Sequence, residues 1–306
     1  MAYKVRFVNP QKQYADHREE YLGVIDDVLA RGSLVAPKDL EIFEQNFAQF
    51  VGVKHGIGVN SGTSALDVAL EAAGIRANDE VLTVAHTFIA SISTICMTGA
   101  RAVLLDVGRD FNMDDSQIEE ALTPETKAIL PVHFNGRLCD MERIMDIAKR
   151  KGLIVIEDAA QALGATMKMA DGSARKGGAL GIAGCFSLYW AKVLGGPGTA
   201  GIVVTNDDDM ARKMRLIRYN GEDRMTREFH YHAHNFLMDN IRAVFLNTKM
   251  KYLPAWLARR HAIAERYRTA LAGAKGIIDL PHFDSPRRTD CYNNYVIRVE
   301  RRDALE

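Results

Sequence analysis

Cysteine is scarce in this chain of 306 residues, which has Cys96, Cys139, Cys185 and Cys291 and no others. They stand far apart, and no pair has the spacing of a zinc site or a redox motif, so neither a metal centre nor a disulfide scaffold is expected. With no signal-peptide pattern at the start, a reducing cytoplasm is the expected address. An excess of either charge is also missing. Lys plus Arg and Asp plus Glu are both 39, a formal net charge of zero. That balance argues against a general nucleic-acid or acidic-membrane binder. Internal repeats and low-complexity tracts are lacking. One stretch without charge, Val81 to Ala100, is about long enough to cross a bilayer. Its Thr83, His86, Thr87, Ser91, Ser93, Thr94 and Thr98 would be costly in lipid. It reads instead as a strand, a short loop and a buried helix.

What is present is ample apolar material. Hydrophobic residues make up 47% and charged residues 25%, enough for a large core under a soluble surface. From about residue 56 to 205, short apolar runs alternate with helical patterns. The runs are Val81–Val84, Arg101–Asp106, Lys127–Val132, Leu153–Glu157, Gly184–Leu188 and Ala200–Thr205. Between them, Thr63–Ala73 and Leu138–Lys151 have helical spacing. The second ends in Lys149, Arg150 and Lys151 before Gly152, a normal helix stop. Such alternation predicts an α/β fold with a mostly parallel sheet between helices, and ligands at the carboxyl ends of its strands. The first 50 residues read as helices around a loop at Arg31–Pro37, and 164–184 as a long loop. After Asp207 the pattern is mainly helical to about Ala274, and Asn294–Glu300 reads as a new strand.

Three segments could carry chemistry. Asn60-Ser61-Gly62-Thr63-Ser64 stands between an apolar run and a helix. A helix start exposes unpaired N–H groups at the positive end of its dipole, a natural phosphate cradle. Gly62 allows close approach, and the hydroxyls of Thr63 and Ser64 could add donors; an ordinary helix cap is the plainer reading. Leu153 to Gln161 runs a buried-type strand into Glu157 and Asp158. Glu157 is expected to face the opposite side, leaving Asp158 to hold a protonated pyridine nitrogen. A helix cap or a metal carboxylate is the alternative. The third segment, Cys185 to Gly198, places Lys192 between an apolar strand and a Gly-rich turn. A semi-buried lysine loses charge readily and attacks aldehydes, although most lysines are solvated surface residues. Ser187, at the strand end, could hold a phosphate oxygen. Together the segments supply what a pyridoxal 5'-phosphate enzyme needs, with Lys192 as the Schiff-base lysine.

These residues resemble the DegT/StrS-like sugar-nucleotide aminotransferases, a branch of the fold type I pyridoxal phosphate enzymes. The resemblance runs from about Tyr14 to the end. It is most specific at Asn60–Leu66, Glu157–Gly164 and Cys185–Gly198, and weaker at Pro131–Gly136 and His234–Phe236. It implies a fold type I aminotransferase, with residues 1–248 forming an N-terminal segment and the large cofactor domain. Residues 249–306 would begin a smaller C-terminal α+β domain, incomplete relative to the family. Gly62, Thr63 and Ser187 would bind the cofactor phosphate, and Phe88 would stack on the pyridine ring. Asp158 would pair with the ring nitrogen, and Gln161 would sit near the ring hydroxyl. Asn235 would reach the phosphate of a neighbouring subunit, which implies a homodimer with shared sites.

The implied reaction takes an amino group from glutamate, releases 2-oxoglutarate, and passes the nitrogen to a keto group of a nucleotide-linked sugar. Lys192 would carry the proton between carbon atoms. Ala191 stands where the family usually has Pro, Ile182 where Asp is frequent, Leu237 where Arg is common and Asn135 where Tyr is frequent. These departures bear on the sugar and on subunit contacts. A pyridoxal phosphate-dependent sugar dehydratase and a non-enzymatic cofactor-binding sensor are the alternatives. A nicotinamide dehydrogenase ranks last, because no early strand leads into G-x-G-x-x-G.

Overall fold

The computed structural model describes residues 6–35, 37–281 and 287–304. Three helices come first: α1 (Pro10–Asp16), α2 (Arg18–Ala30) and α3 (Pro37–Val51). Ala36, inside the expected loop, lies outside the described residues. Next come β1 (His55–Val59), α4 (Gly62–Ala72), β2 (Glu80–Val84), α5 (Ala90–Met97), β3 (Arg101–Leu105), α6 (Ile118–Ala121), β4 (Thr126–Ile129), α7 (Met141–Lys151) and β5 (Ile154–Asp158). The chain continues through β6 (Thr166–Lys168), β7 (Ala174–Lys176), β8 (Ala183–Ser187), β9 (Gly201–Thr205), α8 (Asp208–Arg218), α9 (Asn240–Met250) and α10 (Leu253–Leu271). The short strands β10 (Ile277–Asp279), β11 (Arg288–Thr289) and β12 (Arg298–Val299) follow.

Seven strands form the central sheet in the order β1-β9-β8-β5-β4-β2-β3. Strands β3, β2, β4, β5 and β8 pair in parallel, and β9 runs antiparallel to both its neighbours. The expected mostly parallel α/β sheet is therefore present. Residues of β2 and β9 are buried throughout, because helices cover both faces and leave no polar side for alternation. Val81–Ala100 holds the expected strand, loop and helix, but the helix is buried on one face only, with Cys96 and Met97 exposed, and no described helix is long and apolar enough to cross a membrane.

The helix ends follow local chemistry. Ser61 caps α4 by accepting from the Ser64 N–H, which satisfies a donor that the helix itself cannot. Gly152 ends α7 in the left-handed conformation, at φ 69°, after three basic residues, where both the glycine and the charges suit a helix C-terminus.

Three stretches differ from the sequence reading. The long loop at 164–184 contains the antiparallel pair β6–β7. Strands of three residues, Thr-Met-Lys and Ala-Arg-Lys, are too short to show an alternating pattern. The helical region after Asp207 is interrupted between α8 and α9, where Asn220 and Gly221 take φ of 57° and 78°. The irregular stretch is held by the bridges Tyr219↔Asn235 and Glu222↔Phe229. Of the expected strand at Asn294–Glu300, only Arg298–Val299 pairs, with Ile277–Asp279. The segment before it packs inward instead. Cys291 is fully buried, its N–H donating to the Gly136 carbonyl and its thiol to the Gln161 carbonyl.

Candidate active site

The site grows from the end of β5. Adjacent strand residues face opposite ways, and Glu157 and Asp158 do. Glu157 is fully buried on one side, where it accepts from the N–H groups of Gly178, Leu180 and Gly181 at 2.8, 2.7 and 2.6 Å. His133 Nε2 lies 2.8 Å from the same carboxylate, while the Cys139 N–H points at Nδ1 from 3.2 Å. Donation into Nδ1 puts the ring proton on Nε2, aimed at Glu157. This network ties the turn before β8 to β5, and Glu157 has no capacity left for a ligand.

Asp158 faces the other side and is 5% exposed. One of its oxygens accepts from the Ser91 hydroxyl at 2.6 Å, the other from the Ala160 N–H at 3.1 Å. Ser91 is itself fully buried, and Thr87 Oγ1 lies 2.8 Å from its hydroxyl oxygen. The sequence reading missed Ser91 as an orienting group. Its signal was a small polar residue one helical turn after Phe88, in a segment already read as a buried helix. The Ser91 N–H in turn donates to the Phe88 carbonyl, so the same turn holds Phe88. That ring is 71% exposed, an aromatic face left uncovered by its own chain.

Lys192 is half-buried on the turn after β8, with its N–H donating to the Tyr189 carbonyl at 2.8 Å. Burial pushes its amine below the ordinary lysine pKa, and the charge of Asp158 pulls the other way. An amine in that balance is more readily neutral and nucleophilic than a solvated one.

Gly62 and Ser187 meet where α4 begins and β8 ends. A Cβ on Gly62 would stand 2.7 Å from Ser187 Cβ and 3.1 Å from its Oγ, so only glycine allows this approach. Ser61 satisfies the Ser64 N–H at 3.0 Å, which leaves the Gly62 and Thr63 N–H groups at the positive end of the helix. Thr63 is exposed beside them. Ser64 differs from the sequence reading: its hydroxyl donates inward to Asn60 Oδ1 at 2.6 Å and is not offered to a ligand. Gln161 is half-buried, and its side-chain oxygen accepts from the Asn135 N–H at 3.0 Å. That bond orients the amide and leaves its NH2 as a donor. Asn235 lies in the exposed stretch between α8 and α9. No hydrogen bond among the described residues joins its side chain to this group.

An anion cradle, a buried carboxylate and a lysine of lowered basicity thus converge at the carboxyl edge of a parallel sheet. Ser187 leaves no room for a side chain on Gly62, and the Gly62 and Thr63 N–H groups lie at a partly exposed helix start that suits an anion, so these residues fit pyridoxal 5'-phosphate. The family match and the relatives make the chain a pyridoxal phosphate-dependent aminotransferase. The chain belongs to the DegT/DnrJ/EryC1/StrS aminotransferase family, whose model matches residues 15–306. It is 39% identical to the dTDP-3-amino-3,4,6-trideoxy-alpha-D-glucose transaminase of Micromonospora megalomicea subsp. nigra, over 96% of this chain and 78% of that one. Among solved structures, DesV from S. venezuelae matches with a TM-score of 0.93 at 37% identity, covering 99% of this chain and 80% of its own. NtdA from Bacillus subtilis, solved with bound cofactor PMP, matches at TM-score 0.87 and 29% identity, over 100% of this chain and 69% of that one.

Proposed function

We propose that this chain transfers an amino group from glutamate to a keto group of a nucleotide-linked sugar, in the making of amino sugars for polysaccharides or glycosylated metabolites. The observation that carries the reading is Lys192, half-buried and lowered in basicity within the field of the buried Asp158. The kinship with the Micromonospora sugar transaminase supports the acceptor class. Pyridoxal phosphate supplies an aldehyde for the donor's nitrogen and a ring that draws electrons from the adjacent carbon. Lys192 would anchor the cofactor and, as a free amine, would move the proton between the donor's alpha carbon and the cofactor's aldehyde carbon. Asp158, held by Ser91 and Ala160, keeps the ring nitrogen protonated. The N–H groups of Gly62 and Thr63 and the Ser187 hydroxyl bind the phosphate. Phe88 would cover one ring face and exclude water there, and the Gln161 NH2 would donate toward the ring hydroxyl.

A homodimer belongs to the same proposal, with Asn235 serving the partner's phosphate; its exposure supports this. A cytoplasmic address is also part of it, supported by four free cysteines, as a reducing compartment favours. The test is spectroscopic. The protein loaded with pyridoxal phosphate is expected to show a visible absorption band that Lys192→Ala abolishes and glutamate shifts. A band that survives Lys192→Ala would refute the assignment of the anchor. A band indifferent to glutamate would refute the donor and favour the dehydratase or sensor alternatives. A panel of nucleotide-linked keto sugars, scored by return of the original band, then identifies the acceptor.

A further inference from the structure

The turn that carries Lys192 is closed from behind by a second lysine that no motif marks. Lys249 sits in the last turn of α9 and is 4% exposed. Its ammonium donates to the Gly195 carbonyl at 2.5 Å and to Gln13 Oε1 at 3.2 Å. The rings of Phe245 and Trp256 flank it, with centroids 5.6 and 5.4 Å away. Among the described residues no carboxylate pairs with it. Burial, with no opposite charge among the described residues paired to offset it, pushes its pKa down to about 8.

A buried cation held only by carbonyls and ring faces is costly, and its strongest contact points to one place. Gly195 is itself buried, and a Cβ there would lie 2.2 Å from the Trp190 carbonyl. Trp190 and Gly195 therefore pack closely on either side of Lys192. Bonds from the Trp190 N–H to the Gly198 carbonyl and from the Gly196 N–H to the Leu188 carbonyl complete the closure.

We propose that Lys249 is a positioning residue for Lys192: by pinning the Gly195 carbonyl it holds the Leu188–Gly198 turn in the shape that presents the Lys192 amine to the cofactor. This rests on the reading of Lys192 as the cofactor anchor.

The test measures bond formation at Lys192 without turnover. Protein saturated with pyridoxal phosphate is reduced with borohydride, which locks the lysine–cofactor bond, and peptide mass spectrometry gives the labelled fraction. In the wild type the label is expected on Lys192; a label elsewhere overturns the anchor reading, whatever Lys249 does. Lys249→Met removes the donor and keeps the shape. It is expected to slow labelling about tenfold and weaken cofactor affinity by a similar factor, as the loss of a charged hydrogen bond implies. Lys249→Gln, which keeps a donor, is expected to recover most of the loss. Labelling at the wild-type rate in Lys249→Met overturns the proposal. So does an equal loss in Met and Gln, which marks a merely structural lysine. Should Lys249→Met fail to fold, Gln13→Leu decides from the outer end of the clamp, on a short surface helix. There about a threefold slowing supports the proposal, since one of two bonds is lost, and an unchanged rate overturns it.

Discussion

Gly62→Ala is the most direct test of the phosphate cradle. The new Cβ would stand 2.7 Å from Ser187 Cβ and 3.0 Å from Ser187 Cα, about 1 Å inside the optimal carbon–carbon separation. Rotating Ser187 gives no relief, because its Cα and Cβ are fixed by the backbone, and β8 is held in register with β9 at Ser187↔Gly201. The start of α4 must therefore move away from β8. Overpacking of this kind costs about 1–3 kcal/mol, measurable as a lowered urea midpoint. The movement also carries the Gly62 and Thr63 N–H groups off the phosphate position. Loss of one such bond to a charged group is worth about 1.5–3 kcal/mol, or roughly 10- to 100-fold in affinity. The assay is equilibrium titration of the apoprotein with pyridoxal phosphate, followed by the visible band. Gly23→Ala serves as control, since nothing lies within 4 Å of that position, and a helix-interior alanine there should add about 0.5–1 kcal/mol of stability. Wild-type cofactor affinity in a folded Gly62→Ala protein would refute the cradle.

Two further perturbations probe buried charge. Ser91→Ala removes the 2.6 Å donor from Asp158 and leaves a buried carboxylate oxygen short of a partner. A loss of about 1–3 kcal/mol in chemical denaturation is expected, with weaker cofactor retention on dialysis; unchanged values in both would show that Ser91 does not orient Asp158. Asp67 is 3% exposed on α4, with Glu71 one turn on and His234 3.9 Å away. Burial first, then the Glu71 charge, pushes its pKa up to about 6. The unfolded chain therefore releases this proton at lower pH than the folded one. The associated stability is complete below about 3.8 and is lost as pH rises to about 6, a decline of at most about 3 kcal/mol. Asp67→Asn should flatten that slope and be more stable than the wild type at pH 7. A slope that persists in thermal melts from pH 4 to 7 would show that another group is responsible.

What the sequence made legible follows from how locally each feature is encoded. The strands β2, β5, β8 and β9 are buried on both faces, so they read as unbroken apolar runs, and Asp158 could be separated from Glu157 by strand alternation alone. The start of α4 was equally plain, because a serine cap and a glycine lie within three residues. Strand β1 was harder to see. Its Gly56 and Gly58 answer to α3, where a Cβ would meet the Glu44 carbonyl at 2.6 Å and Leu40 at 2.7 Å, and no propensity records that. Ser64 turned inward because its partner Asn60 lies just before the helix, a choice settled by packing. The supports of the site are more distant still. Ser91 reaches Asp158 across 67 positions, and Lys249 reaches Gly195 across 54. A lysine in an amphipathic helix reads as solvated unless the neighbours that bury it are known. These supports decide whether the legible residues work. Lys192 and Asp158 can be named from a motif, but their geometry is held by side chains brought in from α5 and α9. Substitutions at Ser91 or Lys249 should therefore alter cofactor binding while leaving every recognisable motif intact.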